Sequence, residues 1–206
     1  MTDEEALLDY RRSVATLYAR VRQPGLDAAE VCQRFRQERD ALFRSHPQSA
    51  LSSQQKADFH GLRYYGYDPA FRFLLPIEPD AATEVLEVEL EHDGLLRMRR
   101  FGKVHITIAG QVVSLSLFWL LGYGGGVFVP FRDTTNGDTT YGGGRYVLDT
   151  IKHADLGQIG DRLVIDFNYA YNPSCAYNSR WICPLAPVEN RLPIAIPAGE
   201  QAFTDH

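Results

Sequence analysis

The apolar residues of this 206-residue chain change period once, near Phe71, and that change divides the sequence. Upstream they recur every three or four residues. Leu7, Tyr10, Val14, Leu17, Tyr18 and Val21 share one helical face, and Thr2 with Glu5 forms a capping-box pattern ahead of them. Pro24-Gly25 breaks the chain, and Asp27 with Glu30 opens a second helix striped by Val31, Phe35 and Leu42, with arginines expected on its outer face. A short helix is expected over Gln54–His60. Downstream the pattern alternates. Leu86, Val88 and Leu90 interleave with Glu87, Glu89 and Glu91; Asp93-Gly94 signals a hairpin; Leu96 and Met98 return beside Arg97 and Arg99. Val104, Ile106 and Ile108 lead through Ala109-Gly110 to Val113, Leu115 and Leu117, a second hairpin. Val127–Phe131 and Leu163–Tyr169 read as further strands. The expected fold is α+β and mainly β, an antiparallel barrel or sandwich carrying an N-terminal helical pair. Residues 1–60 form the helical arm and 61–206 the β-rich domain, together one structural unit. The arm packs on the core or on a second copy, so a homodimer through these helices is one expectation.

Composition narrows the class. At 45% hydrophobic and 23% charged residues the chain has the makings of a globular core. Its net charge of −5 argues against nucleic acid as a partner. The longest apolar stretch, Val112–Leu121, is interrupted by Ser114 and Ser116, so no membrane span is expected. The acidic start lacks the basic and apolar regions of a secretory signal, which points to the cytoplasm and to Cys32, Cys175 and Cys183 as thiols.

Chemistry concentrates in the C-terminal third. The segment Phe131–Tyr141 is dense in hydrogen-bonding side chains, among them Asp133, Asn136, Thr140 and Tyr141. Asp133, Asn136 and Asp138 lack the distal glutamate and spacing of a calcium loop, so no metal is expected. Arg132 and Arg145 flank this loop and could grip a carboxylate or phosphate, or could be spent on salt bridges to Asp133 or Asp149. On a strand, Asp166 and Asn168 would project side by side. The Ala-Tyr-Asn step then occurs twice, at 170–172 and 176–178, placing Tyr171, Asn172 and Tyr177 in a polar and aromatic knot. Cys175 is a candidate nucleophile with His105 or His153 and Asp166 as helpers, although buried apolar packing is the commoner state of a free cysteine and the Cys-x7-Cys gap to Cys183 is poor for zinc. The prolines from Pro184 to Pro197 favour an edge or wrapping segment in which Leu192, Ile194 and Ile196 alternate, and Glu200 could return a carboxylate to an arginine.

The strings Phe131-Arg132-Asp133-x-Thr135-Asn136-Gly137, Gly144-Arg145-Tyr146, Asp166-Phe167-Asn168-x-Ala170-Tyr171-Asn172-Pro173-x-Cys175-Ala176-Tyr177, Trp181-x-Cys183-Pro184-Leu185-x-Pro187-x-Glu189-Asn190-Arg191-Leu192-Pro193 and Ala198-Gly199-Glu200 resemble a prokaryotic family labelled domain of unknown function 1684. Gly61-Leu62 and Tyr67-Asp68-Pro69 resemble its upstream signature. The resemblance implies no activity or cofactor; it implies which positions matter, and adds Asn190 to them. Members tend to carry Lys-Glu-Thr after the glycine, where this chain has Asp138-Thr139-Thr140, so a lysine or glutamate role does not carry over.

Three functions follow as expectations. The first is binding of a small polar or anionic molecule in a pocket between residues 131–146 and 166–190. Arg132 and Arg145 would hold charge, and Asp133, Thr140, Tyr141, Asn168, Tyr171, Asn172, Tyr177 and Asn190 would line or orient. The second is a hydrolase or group transferase using Asp166 as base or Cys175 as nucleophile. The third is a structural or dimerisation role. No cofactor is assigned.

Overall fold

The computed structural model describes residues 1–81, 84–90 and 94–204. Helix α1 (Asp3–Val21) starts at the Thr2–Glu5 capping box, and α2 (Ala28–Ser45) starts at Asp27, whose side chain accepts the Glu30 N–H at 2.9 Å. A short α3 (Ser53–Ala57) follows, ending before the expected His60 because the Asp58 N–H already closes the last turn. The buried face of α2 is Cys32, Phe35, Arg39 and Phe43. One of its arginines therefore lies inside, against the expectation that all would cover the outer face.

Among the described residues nine strands come next: β1 (Arg72–Pro76), β2 (Glu78–Pro79), β3 (Val85–Leu90), β4 (Gly94–Ile108), β5 (Gln111–Leu120), β6 (Gly126–Phe131), β7 (Arg145–Asp149), β8 (Gln158–Ile159) and β9 (Arg162–Asp166). They build two antiparallel sheets: β2-β4-β5-β6-β7 with β3 also on β4, and β1-β9-β8. Neither closes into a barrel, and of the two expected arrangements a sandwich fits. The Ala109-Gly110 turn has φ of 49° and 78°, as a two-residue hairpin of matching twist needs. The Asp93 half of the Asp93-Gly94 turn lies outside the described residues, but its flanking strands pair in the expected register: Glu87 faces Arg97, with Nε donating to Oε1 at 3.0 Å. Gly102 sits where β4 bulges, and a Cβ there would lie 2.6 Å from Ile77 Cγ2, so glycine allows β2 to approach.

One apolar core spans the whole. Leu17, Tyr18, Cys32 and Phe35 of the helices pack with Val104, Ile106, Leu115 and Leu117 of the larger sheet and Val164, Ile165 and Phe167 at the smaller one. Most of the apolar stripe of the helical pair thus packs on this chain's own sheets, while Leu7 stays exposed. The C-terminal segment wraps the sandwich without becoming a strand. Leu192, Ile194 and Ile196 are buried as alternation requires, but Pro193 and Pro197 lack N–H donors, and among the described residues the segment forms isolated bridges, Arg132–Arg191 and Tyr64–Glu200. No helix among the described residues is long and apolar enough to cross a membrane.

Candidate functional site

Two buried ion pairs organise the C-terminal third. In the first, Arg145 on β7 has no exposed surface, and its Nη2 donates to Asp133 Oδ2 at 2.7 Å and to the Ile196 carbonyl at 2.8 Å. Its Nη1 donates to the carbonyls of Ala198 and Glu200. Asp133 in turn accepts the Thr135 N–H at 2.9 Å and the Ile196 N–H at 3.2 Å. Thr135, Asn136 and Thr140 complete the knot: Asn136 Nδ2 and Thr135 Oγ1 lie 2.9 and 2.8 Å from Thr140 Oγ1. Both terminal nitrogens of Arg145 therefore point at this chain. Arg132 meets the same wrap through its backbone, donating to the Asn190 carbonyl and accepting from Leu192. Asn190 is a staple as well, bonded to the Ser116 N–H and carbonyl and the Pro130 carbonyl at 2.7 to 2.9 Å.

The second pair joins the helices to the sheets. Arg39 of α2 lies 2.8 Å from Glu200 Oε2 and donates to the hydroxyls of Tyr64 and Tyr177 at 2.8 and 3.2 Å. Glu200 also accepts from the Tyr177 hydroxyl, from Asn172 N and from Asn172 Nδ2. Gly199 delivers Glu200 inward: its φ is +78°, and a Cβ would lie 2.5 Å from the Phe167 carbonyl oxygen and 2.6 Å from that of Ala170. Both groups bonded to Asn172 Nδ2, Glu200 Oε1 and the Gln201 carbonyl, are acceptors, which fixes the amide orientation. Asn172 Oδ1 is then buried with no hydrogen-bond partner.

Beside this second pair is a cavity of about 120 Å³. Tyr10, Leu17 and Tyr18 of α1 and Phe35, Arg39 and Phe43 of α2 form one wall; Tyr146, Asp149, Tyr171, Asn172, Ser174, Tyr177 and Cys183 form the other. The hydroxyls of Tyr10, Tyr18 and Tyr171 form no hydrogen bond to any described residue, and loss of water on burial raises the pKa of all three phenols. The Asp149 carboxylate is nearly fully buried. It accepts the Lys152 N–H at 3.2 Å, with Lys152 Nζ 3.9 Å away, and burial pushes its pKa up against the pull of that lysine.

The sequence-derived candidates thus fall into separate places. Tyr171, Asn172 and Tyr177 reach the cavity. Arg132, Asp133, Thr140, Arg145 and Asn190 hold the wrap together; of the 131–146 stretch only Tyr146 lines the cavity, and the helices supply the facing wall. Asp166 faces a different groove, near the α1–α2 linker, and Asn168 is buried beside it without lining either space. They are not successive residues on a strand face, because β9 ends at Asp166, whose side chain caps a 3-10 turn by accepting the Asn168 N–H at 3.0 Å. Asn168 is consumed by Asp166 and the Asp68 backbone, and burial raises the Asp166 pKa despite the hydrogen bonds from Asn168 and the charge of Arg72. Tyr141 donates to Cys175 Sγ at 3.6 Å, and the Cys175 N–H donates to Cys183 Sγ at 3.4 Å; no histidine bonds to either thiol. His105 is instead in an exposed cross-strand ladder between Ser114 (3.0 Å) and Glu78 (2.8 Å).

Arg39, Asp149, Tyr10 and Tyr18 were missed. A signal existed for Arg39, which stands four residues from both Phe35 and Phe43 and so on the apolar stripe. The expectation that Glu200 returns a carboxylate to an arginine identified one half of the pair.

Comparison with known proteins agrees with this layout. No curated protein matches. A solved structure, the solution NMR structure of an uncharacterized protein of Haloarcula marismortui, is 34% identical, covering 84% of this chain and 94% of the other, with a TM-score of 0.59. The family model described as protein of unknown function (DUF1684) matches residues 57–201, from the end of α3 through Glu200, leaving α1 and α2 outside the match. The chain belongs to the DUF1684 family.

Proposed function

We propose that this protein binds a small polar molecule in the cavity between the helical pair and residues 171–183. The observation that carries the reading is an unpartnered buried acceptor, Asn172 Oδ1, beside an aromatic wall whose Tyr10, Tyr18 and Tyr171 hydroxyls bond to no described residue. Buried polar groups are rarely left without a hydrogen bond, so water or a guest completes this set. The volume is of the order of the roughly 150 Å³ hole that admits benzene in a protein core, which limits the guest to a compact molecule. Arg39 is already neutralised by Glu200, and Asp149 contributes a carboxylate. The site therefore favours a neutral or cationic hydrogen-bond donor, and an anion is the poorer guest; both terminal nitrogens of Arg145 are bonded within the wrap, away from this cavity. Three free thiols fit a reducing, cytoplasmic setting.

Thermal unfolding against a panel of small amines, polyols, amino acids, carboxylates and inorganic phosphate tests the reading. A guest at a hundred times its Kd adds about 2.7 kcal/mol of stability, a shift of roughly 5 °C or more in Tm. The expected result is stabilisation by a member of the amine or polyol set that is weakened in Tyr18→Phe. Stabilisation by no member, or by one that Tyr18→Phe and Asp149→Asn leave untouched, overturns it.

A further inference from the structure

The two half-buried cysteines of the C-terminal segment are placed together by chain sections free of regular strand. Cys175 lies in a 3-10 turn over Ser174–Ala176, and Cys183 lies in the extended stretch before the wrap. The backbone N–H of Cys175 donates to Cys183 Sγ at 3.4 Å, so the second sulfur is held against the residue that carries the first. The Tyr141 hydroxyl donates to Cys175 Sγ at 3.6 Å from the other side. Tyr146 fixes the Cys183 end by donating its hydroxyl to the Pro184 carbonyl at 2.6 Å. An ordinary structural thiol needs none of this. Cys32 shows the contrast: it is fully buried in the apolar core, and burial pushes its pKa up to about 11.

We propose that Cys175 and Cys183 are an oxidisable dithiol, a modification site that closes to a disulfide on reaction with a hydroperoxide. The Cys175 thiolate attacks the peroxide oxygen, the O–O bond breaks, and hydroxide leaves as Cys175 becomes a sulfenic acid. The sulfur of Cys183, giving up its proton, then attacks the Cys175 sulfur, the S–S bond forms and water leaves. Overall two thiols lose two electrons and two protons, and hydrogen peroxide becomes two waters. Cys175 is the attacking sulfur because the Tyr141 hydroxyl donates to it. The Cys183 thiol and the Tyr141 hydroxyl bring its pKa down to about 6 against the effect of burial, while Cys183 is pushed up. Burial and its bond to Cys175 raise the Tyr141 phenol to about 12, so it stays a donor. Because Cys183 also lines the cavity, closing the bridge changes that wall.

Trypsin cleavage after Arg162, Arg180 and Arg191 separates the two cysteines, so peptide mapping of the native full-length protein after hydrogen peroxide reads the reaction directly. The expected product has lost two hydrogens, joins residues 163–180 to 181–191 within one chain, and leaves Cys32 reduced. In Cys183→Ser, Cys175 is expected to stop at the sulfenic acid and to be trapped by dimedone. Iodoacetamide at pH 6.5 is expected to label Cys175 at least about tenfold faster than Cys32, a smaller factor than thiolate abundance alone gives because nucleophilicity falls with pKa. Oxidation of Cys175 to the sulfinic or sulfonic acid without a cross-link, a bridge only between chains, or no reaction of either thiol overturns the proposal. The wild-type map decides the matter even where a serine variant does not fold.

Discussion

Arg145–Asp133 and Arg39–Glu200 are the same chemistry at the same distance, 2.7 and 2.8 Å, yet they have different work. Arg145 gathers carbonyls from residues 196, 198 and 200 and meets Asp133 from the neighbouring loop, all within the part of the chain that the family model covers. It shapes the wrap. Arg39 belongs to α2, outside that region, and reaches across to Glu200 at the far end of the chain. It joins two parts of the molecule and borders the cavity. A buried guanidinium surrounded wholly by its own chain is scaffold; one beside unused hydroxyls is scaffold at the edge of a site. The sequence drew attention to Arg145 and placed the α2 arginines outside, and only the neighbours in the fold show which of the two borders a site.

The largest effect expected is from Arg145→Met. It leaves the Asp133 carboxylate and three carbonyls buried without their donor, and breaking such a pair costs about 3–5 kcal/mol. Denaturant unfolding should show the loss across all probes. Arg39→Met strands Glu200 in the same way, but no buried carbonyl loses its donor with it, so the loss should be smaller, about 2–3 kcal/mol. It should also show first as hydrogen exchange in α1 and α2. The double variant Arg39→Met/Glu200→Gln should recover part of it. Equal losses and identical exchange patterns for the two arginines would erase the distinction.

Gly199 lies between the two pairs, its neighbours being Ala198, whose carbonyl serves Arg145, and Glu200, which serves Arg39. Gly199→Ala places a Cβ against two carbonyl oxygens at a positive φ, so a cost of about 1–3 kcal/mol is expected. Both regions should loosen together, unlike the response to either arginine alone.

The strands, hairpin registers and helical pair were legible because each rests on a local periodicity that a buried face enforces. Glu87 opposite Arg97 follows from alternation and a two-fold side-chain period. The pocket was only half legible. Tyr171, Asn172 and Tyr177 stood out by their density, whereas the facing wall comes from α1 and α2, more than a hundred residues upstream. No local pattern announces which sheet a helix will cover. Asp166 and Asn168 were misread as strand neighbours because a carboxylate that caps a 3-10 turn two residues on looks, in sequence, like an alternating strand. Asp149 was considered only as a salt-bridge partner for an arginine; its burial beside three phenols depends on tertiary packing.

Asp149 extends the contrast to a carboxylate with no arginine. Its proton is held more tightly in the folded state than in the unfolded chain, since burial raises its pKa above 3.8. Its contribution to stability therefore falls as pH rises from about the ordinary aspartate value through the raised one, and recovers as pH falls. Asp149→Asn keeps an oxygen for the Lys152 N–H and removes that charge. The variant should melt higher than wild type at pH 7, and the difference should shrink to nothing as the pH approaches 4. A difference independent of pH would mean that packing, and not the charge, sets the effect. Asp166 shifts in the same direction and remains in both proteins, so the comparison isolates Asp149.

The smallest effect belongs to an ion pair of equal geometric quality in a different medium. Arg97 and Glu87 sit 3.0 Å apart across β4 and β3, but their side chains are 56% and 49% exposed. Water screens the attraction, and ordering two long side chains opposes it, so Glu87→Ala should cost no more than about 0.5 kcal/mol and the cost should vanish in molar salt. The buried Arg145→Met loss should barely respond to the same salt, because counterions do not reach it. A salt-insensitive Glu87→Ala loss approaching that of the buried pairs would show that burial is not what separates them, and the ranking of the three ion pairs would have to rest on their hydrogen-bond counts instead.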